Sequence, residues 1–215
     1  MKTEQQTSIQ PQSTQPAQPT QPKPEPPVIN ITGEKVALGP LRKETISLAY
    51  RWLNDFQVSI QSGDPVRSIT LESLQAEFER DNKEMSHRWF GFTIYERATM
   101  RAIGFTELRE IHWPAATATF GIVIGEKDCW NKGYGTETTK LMLDYGFTVL
   151  GLHNVMLTTY AYNLGAIRAY TKAGFREMGR RREAHTWGGR RYDEVAMDCL
   201  STEFERPATP VINLP

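Results

Sequence analysis

A single α+β domain, of mixed α/β character with a central, mostly antiparallel sheet, is what the sequence predicts. Three observations predict it. Strand-like and helix-like runs follow one another in the order β-α-α-β-β-β-α-β-α-β-β between residues 30 and 202. Neighbouring strand runs are joined by short turns, which suit antiparallel pairs. The chain has 215 residues and 39% hydrophobic content, enough for one domain with a substantial core.

The first strand is "KVALGPL" (35–41), by its alternation. "KETISLAYRWLND" (43–55) follows as a helix, with Ile46, Ala49, Tyr50 and Leu53 at helical spacing. "QVSIQSGDPVRS" (57–68) reads as the loop to a second helix, "TLESLQAEFERD" (70–81). Thr70 is its expected N-cap, and Leu71, Leu74 and Phe78 form its apolar face. Three strand runs come next: 87–96, 101–111 and 116–125. A glycine loop leads into a helix over 136–150, where Leu141, Met142, Tyr145 and Val149 share a face. "NVMLTTYAY" (154–162) is a strand by its β-branched and aromatic content. "NLGAIRAYTKAGF" (163–175) is a short helix, capped by Asn163 and ended by Gly174. Two closing antiparallel strands, 175–183 and 190–200, meet through "WGGR".

The ends differ in kind from the domain. Residues 1–29 are rich in Pro and Gln, with almost nothing apolar to bury, and are expected to be a disordered, locally polyproline-like tail. Residues 203–215 are expected to be a shorter C-terminal tail. Acidic and basic residues balance at 25 each, so nothing draws the chain to nucleic acid or an anionic membrane. Cys129 and Cys199 show no CxxC spacing, and the four histidines show no HExxH pattern, so neither disulfide nor metal is expected. The chain has no spanning-length apolar run and no signal-peptide core, and reads as soluble and cytoplasmic.

The chemistry starts at "CWNKGYGTETTK" (129–140). No GxxxxGK[ST] string occurs, and Thr138 stands where a dinucleotide fingerprint needs its third glycine. What remains is Trp130, Asn131, Lys132, Gly133, Tyr134, Gly135 and Thr136, running from a strand into a helix. Gly133 and Gly135 let the backbone approach a ligand, the helix N-terminus presents amides to an anion, and Lys132 adds charge. The loop suits a pyrophosphate.

Some 30 residues on, Asn163, Ala166, Tyr170, Gly174 and Phe175 stand in the register N-x-x-A-x-x-x-Y-x-x-x-G-F. Loop and segment together resemble the GNAT N-acetyltransferase superfamily, over all but the tails. "WNKGYGTE" and "REAHTWGGRRYDEVAM" look closest to the branch holding ribosomal-protein alanine acetyltransferases and spermidine acetyltransferases. The resemblance implies a GNAT-like sheet and transfer of acetyl from acetyl-CoA directly to an amine, without an acyl-enzyme or a metal. It implies that residues 130–136 hold the pyrophosphate. Backbone groups of Ile122, Val123 and Ile124, with Asn163 and Ala166, would follow the pantetheine arm. Tyr170 would be the acid that protonates the departing thiolate, its phenol staying protonated at neutral pH.

The base departs from the family pattern. Related strands read A-E-x-G, whereas this chain has Ala118-Thr119-Phe120-Gly121. Glu107 is the expected substitute, with His112 and Glu183 behind it. The acceptor groove is expected between the first two helices, their loop, and the closing hairpin with His185 and Trp187. A peptide α-amine is the leading acceptor, with a polyamine or aminoglycoside as alternative. A non-catalytic acetyl-CoA-binding module is the reading from another class. A homodimer through the closing hairpin is compatible with the sequence.

Overall fold

The computed structural model describes residues 26–62, 68–84 and 87–207. The Pro/Gln-rich segment to residue 25, the centre of the 57–68 loop and residues 208–215 therefore lie outside the described residues. Eight strands form one sheet in the order β1-β2-β3-β4-β5-β6-β8-β7. They are β1 (Ile31–Thr32), β2 (Val36–Pro40), β3 (Phe90–Glu96), β4 (Arg101–His112), β5 (Thr117–Ile124), β6 (Asn154–Tyr160), β7 (Arg176–Trp187) and β8 (Arg190–Leu200). Every pairing is antiparallel but one, and the β1–β2, β3–β4, β4–β5 and β7–β8 pairs are joined by short turns, which suit that direction.

The exception positions the site. β5 and β6 run parallel and pair at only three positions, Thr117↔Asn154, Ala118↔Val155 and Thr119↔Met156. Beyond Thr119 the two strands part. β5 stays paired to β4 as far as Ile124, and β6 to β8 as far as Tyr160. The sheet is thus split along one seam, and backbone groups on the two lips face a gap rather than each other.

The α4 (Tyr134–Asp144) and α5 (Leu164–Ala173) helices pack against one face. There Ile94, Ile103, Leu108, Phe120, Met142, Leu143, Val155 and Phe175 make the main core. The opposite face carries α1 (Ile46–Asn54), α2 (Phe56–Ser62) and α3 (Leu71–Glu84), anchored by the smaller cluster of Trp52, Val58 and Val123. Gly125 is needed here, because a Cβ would lie 2.1 Å from the Trp52 ring. Thr70 caps α3 as expected, accepting from the Ser73 amide at 3.1 Å.

The structure differs from the sequence reading at several element boundaries: α4 gives way to a π-helical turn (Tyr145–Val149), β7 runs on to Trp187, and three further differences have local causes. The helix expected over 43–55 becomes a 3₁₀ turn (Lys43–Thr45) and α1, and part of the expected loop is α2. Asp55 is the cause: its backbone is extended (ψ 107°), its carboxylate accepts from the Gln57 amide at 2.9 Å, and its carbonyl starts the next helix. The helix after the glycine loop begins at Tyr134, two residues early, because Gly133 takes the left-handed backbone of the N-cap (φ 87°). A short strand, β1, also precedes the expected first one.

Within the segment assigned to the C-terminal tail, Phe204 packs edge-on against Phe147, and Arg206 Nε reaches the buried carboxylate of Asp144 at 3.0 Å. Thr148 Oγ1 donates to the same oxygen at 2.9 Å. Removing one partner from a buried charge leaves it poorly solvated. Arg206→Ala is therefore expected to lower the unfolding free energy by about 2 kcal/mol. Arg176→Ala, which breaks an exposed pair with Glu203, is expected to cost less than about 1 kcal/mol. Urea denaturation of both variants checks the difference.

Candidate active site

A cavity of about 520 Å³ opens where β5 and β6 part. One wall is Ile122, Val123 and Ile124 of β5; another is the N-terminal turn of α4 with the loop before it; a third is α5 from Asn163 to Lys172. Val58, Gln61 and Ser62 of α2 close it from the other face of the sheet.

The α4 end is built to receive an anion. Asn131 (φ 60°) and Gly133 (φ 87°) both take left-handed backbone, which turns the chain sharply into the helix. Gly133 gives no side-chain cap, and the first helical bond is Glu137 N–H to Gly133 O at 3.0 Å. The amides of Tyr134, Gly135 and Thr136 thus have no acceptor among the described residues. A Cβ placed on Gly135 would meet only Ile124 Cγ1, at 4.0 Å. No protein contact requires glycine there, and a helical glycine is unfavourable. What the missing side chain keeps clear is the cavity.

Other loop residues have structural partners. Trp130 lines the cavity, and its indole N–H donates to Ile124 O at 2.8 Å, tying the loop to the tip of β5. Glu137 turns its carboxylate to the backbone amides of Glu34 and Lys35, which braces α4 against the β1–β2 turn. Lys132 does not line the cavity. It faces a separate surface recess with Lys35 and Arg97, and its carbonyl accepts from Lys35 Nζ at 3.2 Å.

Tyr170 enters the cavity wall from α5. Its ring stands edge-on to Phe120 at 6.1 Å and packs 6.0 Å from Phe175. Burial pushes its phenol up to about 12, so it carries its proton throughout the neutral range. Asn163 caps α5 through Oδ1 to the Ala166 amide at 3.1 Å, as expected, and its Nδ2 donates to Gln61 O at 3.1 Å. Tyr162 adds a bond from its hydroxyl to Ile60 O at 2.8 Å.

Glu107 is not in this cavity. It lies across the sheet, paired in register with Gly121, in a second cavity of about 230 Å³ lined by Ile46, Ala49, Leu74, Phe78, Phe105 and Glu77 among others. Trp89 Nε1 donates to one carboxylate oxygen at 2.6 Å and Arg109 to the other at 3.2 Å. A Cβ on Gly121 would fall 3.0 Å from Glu107 Oε1, so the glycine is what lets the carboxylate lie against β5. Consecutive strand residues point to opposite faces. Phe120 therefore carries the phenol of Tyr170 on one side, and Gly121 the carboxylate of Glu107 on the other, just past the point where the seam opens.

His112 and Glu183 line neither cavity. His112 Nδ1 accepts from the Ala115 amide at 3.3 Å, and Glu183 pairs with Arg191 on the exposed hairpin. His185 stacks on Tyr160 at 4.0 Å, while Trp52 is buried and bonded to Glu126. Tyr162, Arg168 and Lys172 are among the cavity residues the sequence reading did not name, and Val58, Gln61 and Ser62, expected in the loop of the acceptor groove, line this cavity from a helix instead. The signal for α2 was present in Asp55, an N-cap residue followed by apolar Val58.

These features define an acyltransferase, and the comparisons agree. Residues 35–176 match the acetyltransferase (GNAT) domain, and the chain belongs to that family. It is 41% identical over 148 residues to the spermidine N(1)-acetyltransferase of Escherichia coli K12, covering 69% of this chain and 76% of that protein. The enzyme of the same name from Vibrio cholerae is 33% identical over 134 residues, covering 62% and 73%. The crystal structure of Vibrio cholerae spermidine N-acetyltransferase with CoA and spermine superposes with a TM-score of 0.73 over 80% of this chain and 98% of that one, at 23% identity. That likeness is one of fold.

Because the Tyr170 pKa is raised in the folded state, its contribution to stability is complete below about pH 10, the unfolded value. It is lost as pH rises toward about 12. Unfolding free energies at pH 9 and pH 11 are expected to fall more for the wild type than for Tyr170→Phe.

Proposed function

We propose that the protein transfers the acetyl group of acetyl-CoA directly to a primary amine of a polyamine such as spermidine or spermine. The observation that carries the cofactor half is the clear space over Gly135 beside three unclaimed amides, in a cavity whose lining contains no Asp or Glu. Such a surface suits a polyanion. Bound there, acetyl-CoA supplies an activated acyl thioester. The α4 amides hold its pyrophosphate, and the exposed lip of β5 at Ile122–Ile124 offers backbone groups to the amides of its arm. Asn131, Ala166 and Asn163 shape the channel, Asn163 with one amide hydrogen beyond those its two protein bonds use.

Tyr170 acts as the acid and Glu107 as the base, placed on the two faces of β5 at neighbouring residues. Trp89 and Arg109 fix the position of the carboxylate through one bond to each oxygen, and a carboxylate so placed is a group that can accept a proton from an ammonium. The amine then attacks from the α1–α3 side, and the phenol hands its proton to the leaving sulfur. The second cavity supports a polyamine over a peptide acceptor: apolar walls for methylenes and carboxylates of Glu77 and Glu107 for charge. So does the similarity to spermidine acetyltransferases. The polyamine, given second in the sequence reading, is therefore favoured over the peptide amine given first.

Thiol release from acetyl-CoA with spermidine, spermine, alanine-ended and serine-ended peptides and an aminoglycoside tests this. The polyamines are expected to give the highest kcat/KM; turnover with peptides alone would overturn the acceptor assignment. Gly135→Ala is expected to bind acetyl-CoA at least about tenfold more weakly while its folding stability holds or rises by up to about 1 kcal/mol. Calorimetric titration and urea denaturation read the two halves. Tyr170→Phe is expected to lower kcat roughly 10- to 100-fold with little change in KM for acetyl-CoA. In Glu107→Gln, kcat/KM is expected to climb about tenfold per pH unit toward the amine's own pKa.

A further inference from the structure

Resting on the acetyl-CoA reading, we propose that residues 201–207 form a regulatory strap whose docking on the C-terminal ends of α4 and α5 is coupled to cofactor binding at the N-terminal end of α4. The segment follows β8 and lies beyond residues 35–176, the part that matches the acetyltransferase domain. It turns back at once, the amides of Glu203 and Phe204 donating to Leu200 O at 3.0 and 3.1 Å. The Phe204 ring then lies edge-on to Phe147, just past the end of α4. It also comes within 3.6 Å of where a Cβ would stand on Gly174, the C-cap of α5. One ring thus bridges the ends of the two helices that wall the large cavity.

Charge makes the contact conditional. Asp144 is fully buried in the last turn of α4, where the partial negative charge of the helix end opposes a carboxylate. Arg206 brings a guanidinium to it, and Arg206 Nη2 also donates to Thr148 Oγ1 at 2.9 Å. Thr148 belongs to the π-helical turn, which is closed by Leu150 N–H to Tyr145 O at 3.2 Å. Such a turn spends one residue more than an α turn, so the two forms differ by a slip of ~1.5 Å along the axis. That turn is the two-state element. With Arg206 docked, Asp144 and Thr148 are pinned in the π register; without it, the carboxylate at a negative helix end favours the slip. α4 has 11 residues and carries the slip to the amides of Tyr134, Gly135 and Thr136. A shift of that size breaks a hydrogen bond. Linkage works in both directions, so a cofactor that holds α4 favours the docked strap.

The test measures calorimetric Kd for acetyl-CoA on the wild type, Phe204→Ala/Arg206→Ala and Arg206→Lys, at a temperature where circular dichroism finds each folded. The double variant is expected to bind about 5- to 20-fold more weakly, the usual size of coupling between two sites. Arg206→Lys, which keeps the charge without the fork, is expected to fall between. Ile111→Ala, at a buried β4 position that lines neither cavity, controls for lost stability and is expected to keep the wild-type Kd. In the reverse direction, saturating acetyl-CoA is expected to slow hydrogen exchange at the Glu203 and Phe204 amides at least about fivefold. A double variant that binds as the wild type does, a control that weakens binding as much, or exchange that ignores the cofactor overturns the coupling and leaves the acetyl-CoA reading standing. A wild type that binds no acetyl-CoA overturns both.

Discussion

The parting of β5 from β6 after three paired residues is the constraint on which the rest of the molecule depends. A sheet that splits leaves donors and acceptors on both lips that must be met by something other than the partner strand. The split is held open from one side by aromatic bulk. Phe120, Tyr170 and Phe175 interlock behind β5, with ring centroids 6.0 to 6.1 Å apart. From the other side α2 bridges the opening, fixed by the hydroxyl of Tyr162 and the amide of Asn163. The gap is thus bounded by packed side chains on one side and by hydrogen bonds to α2 on the other.

Charge is sorted across the same seam. The cavity bordered by α4 and α5 contains cations and free amides, while carboxylates collect on the α1–α3 side, at Glu107 and Glu77. The two cavities therefore present surfaces of opposite sign on the two faces of one sheet. The arrangement also separates the phenol of Tyr170 from the carboxylate of Glu107. The phenol sits among aromatic rings, which raise its pKa, and the carboxylate sits between an indole N–H and a guanidinium. Two different environments, one strand apart, suit opposite roles.

Much of this was legible in the sequence, because the signals were local. Strand alternation, the caps at Thr70 and Asn163, Gly174 at the end of α5 and the turn at Gly188–Gly189 act within a few residues, and each appears where its pattern stood. Helix and strand order then determined the layering. Apart from Lys132, the residues named for the cofactor all line one cavity, because a loop, a strand tip and a helix start converge at the seam. The misses were long-range or ambiguous. Asp55 serves equally as the end of one helix and the cap of the next, and only tertiary contacts such as its bridge to Lys127 select the second. Lys132 looked like a phosphate ligand by adjacency, but the left-handed turn on either side of it points it elsewhere. The position of Glu107 beside Gly121 depends on strand register, which no spacing along the chain reveals.

One contact noted only as an anchor also sets how helix-end charge is distributed around the cavity. The carbonyls of Ile60 and Gln61 lie in the last turn of α2, the negative end of that helix, and they meet the segment that opens α5. Two helix termini of opposite sign are thus abutted, and Asn163 consumes a further donor of α5 by capping it. Of the two helix starts bordering the cavity, one is neutralised by its neighbour and the other, at Gly133, is left bare. The two positive poles are thus made unequal by the fold itself, one short-circuited by a neighbouring helix end and the other open to the cavity.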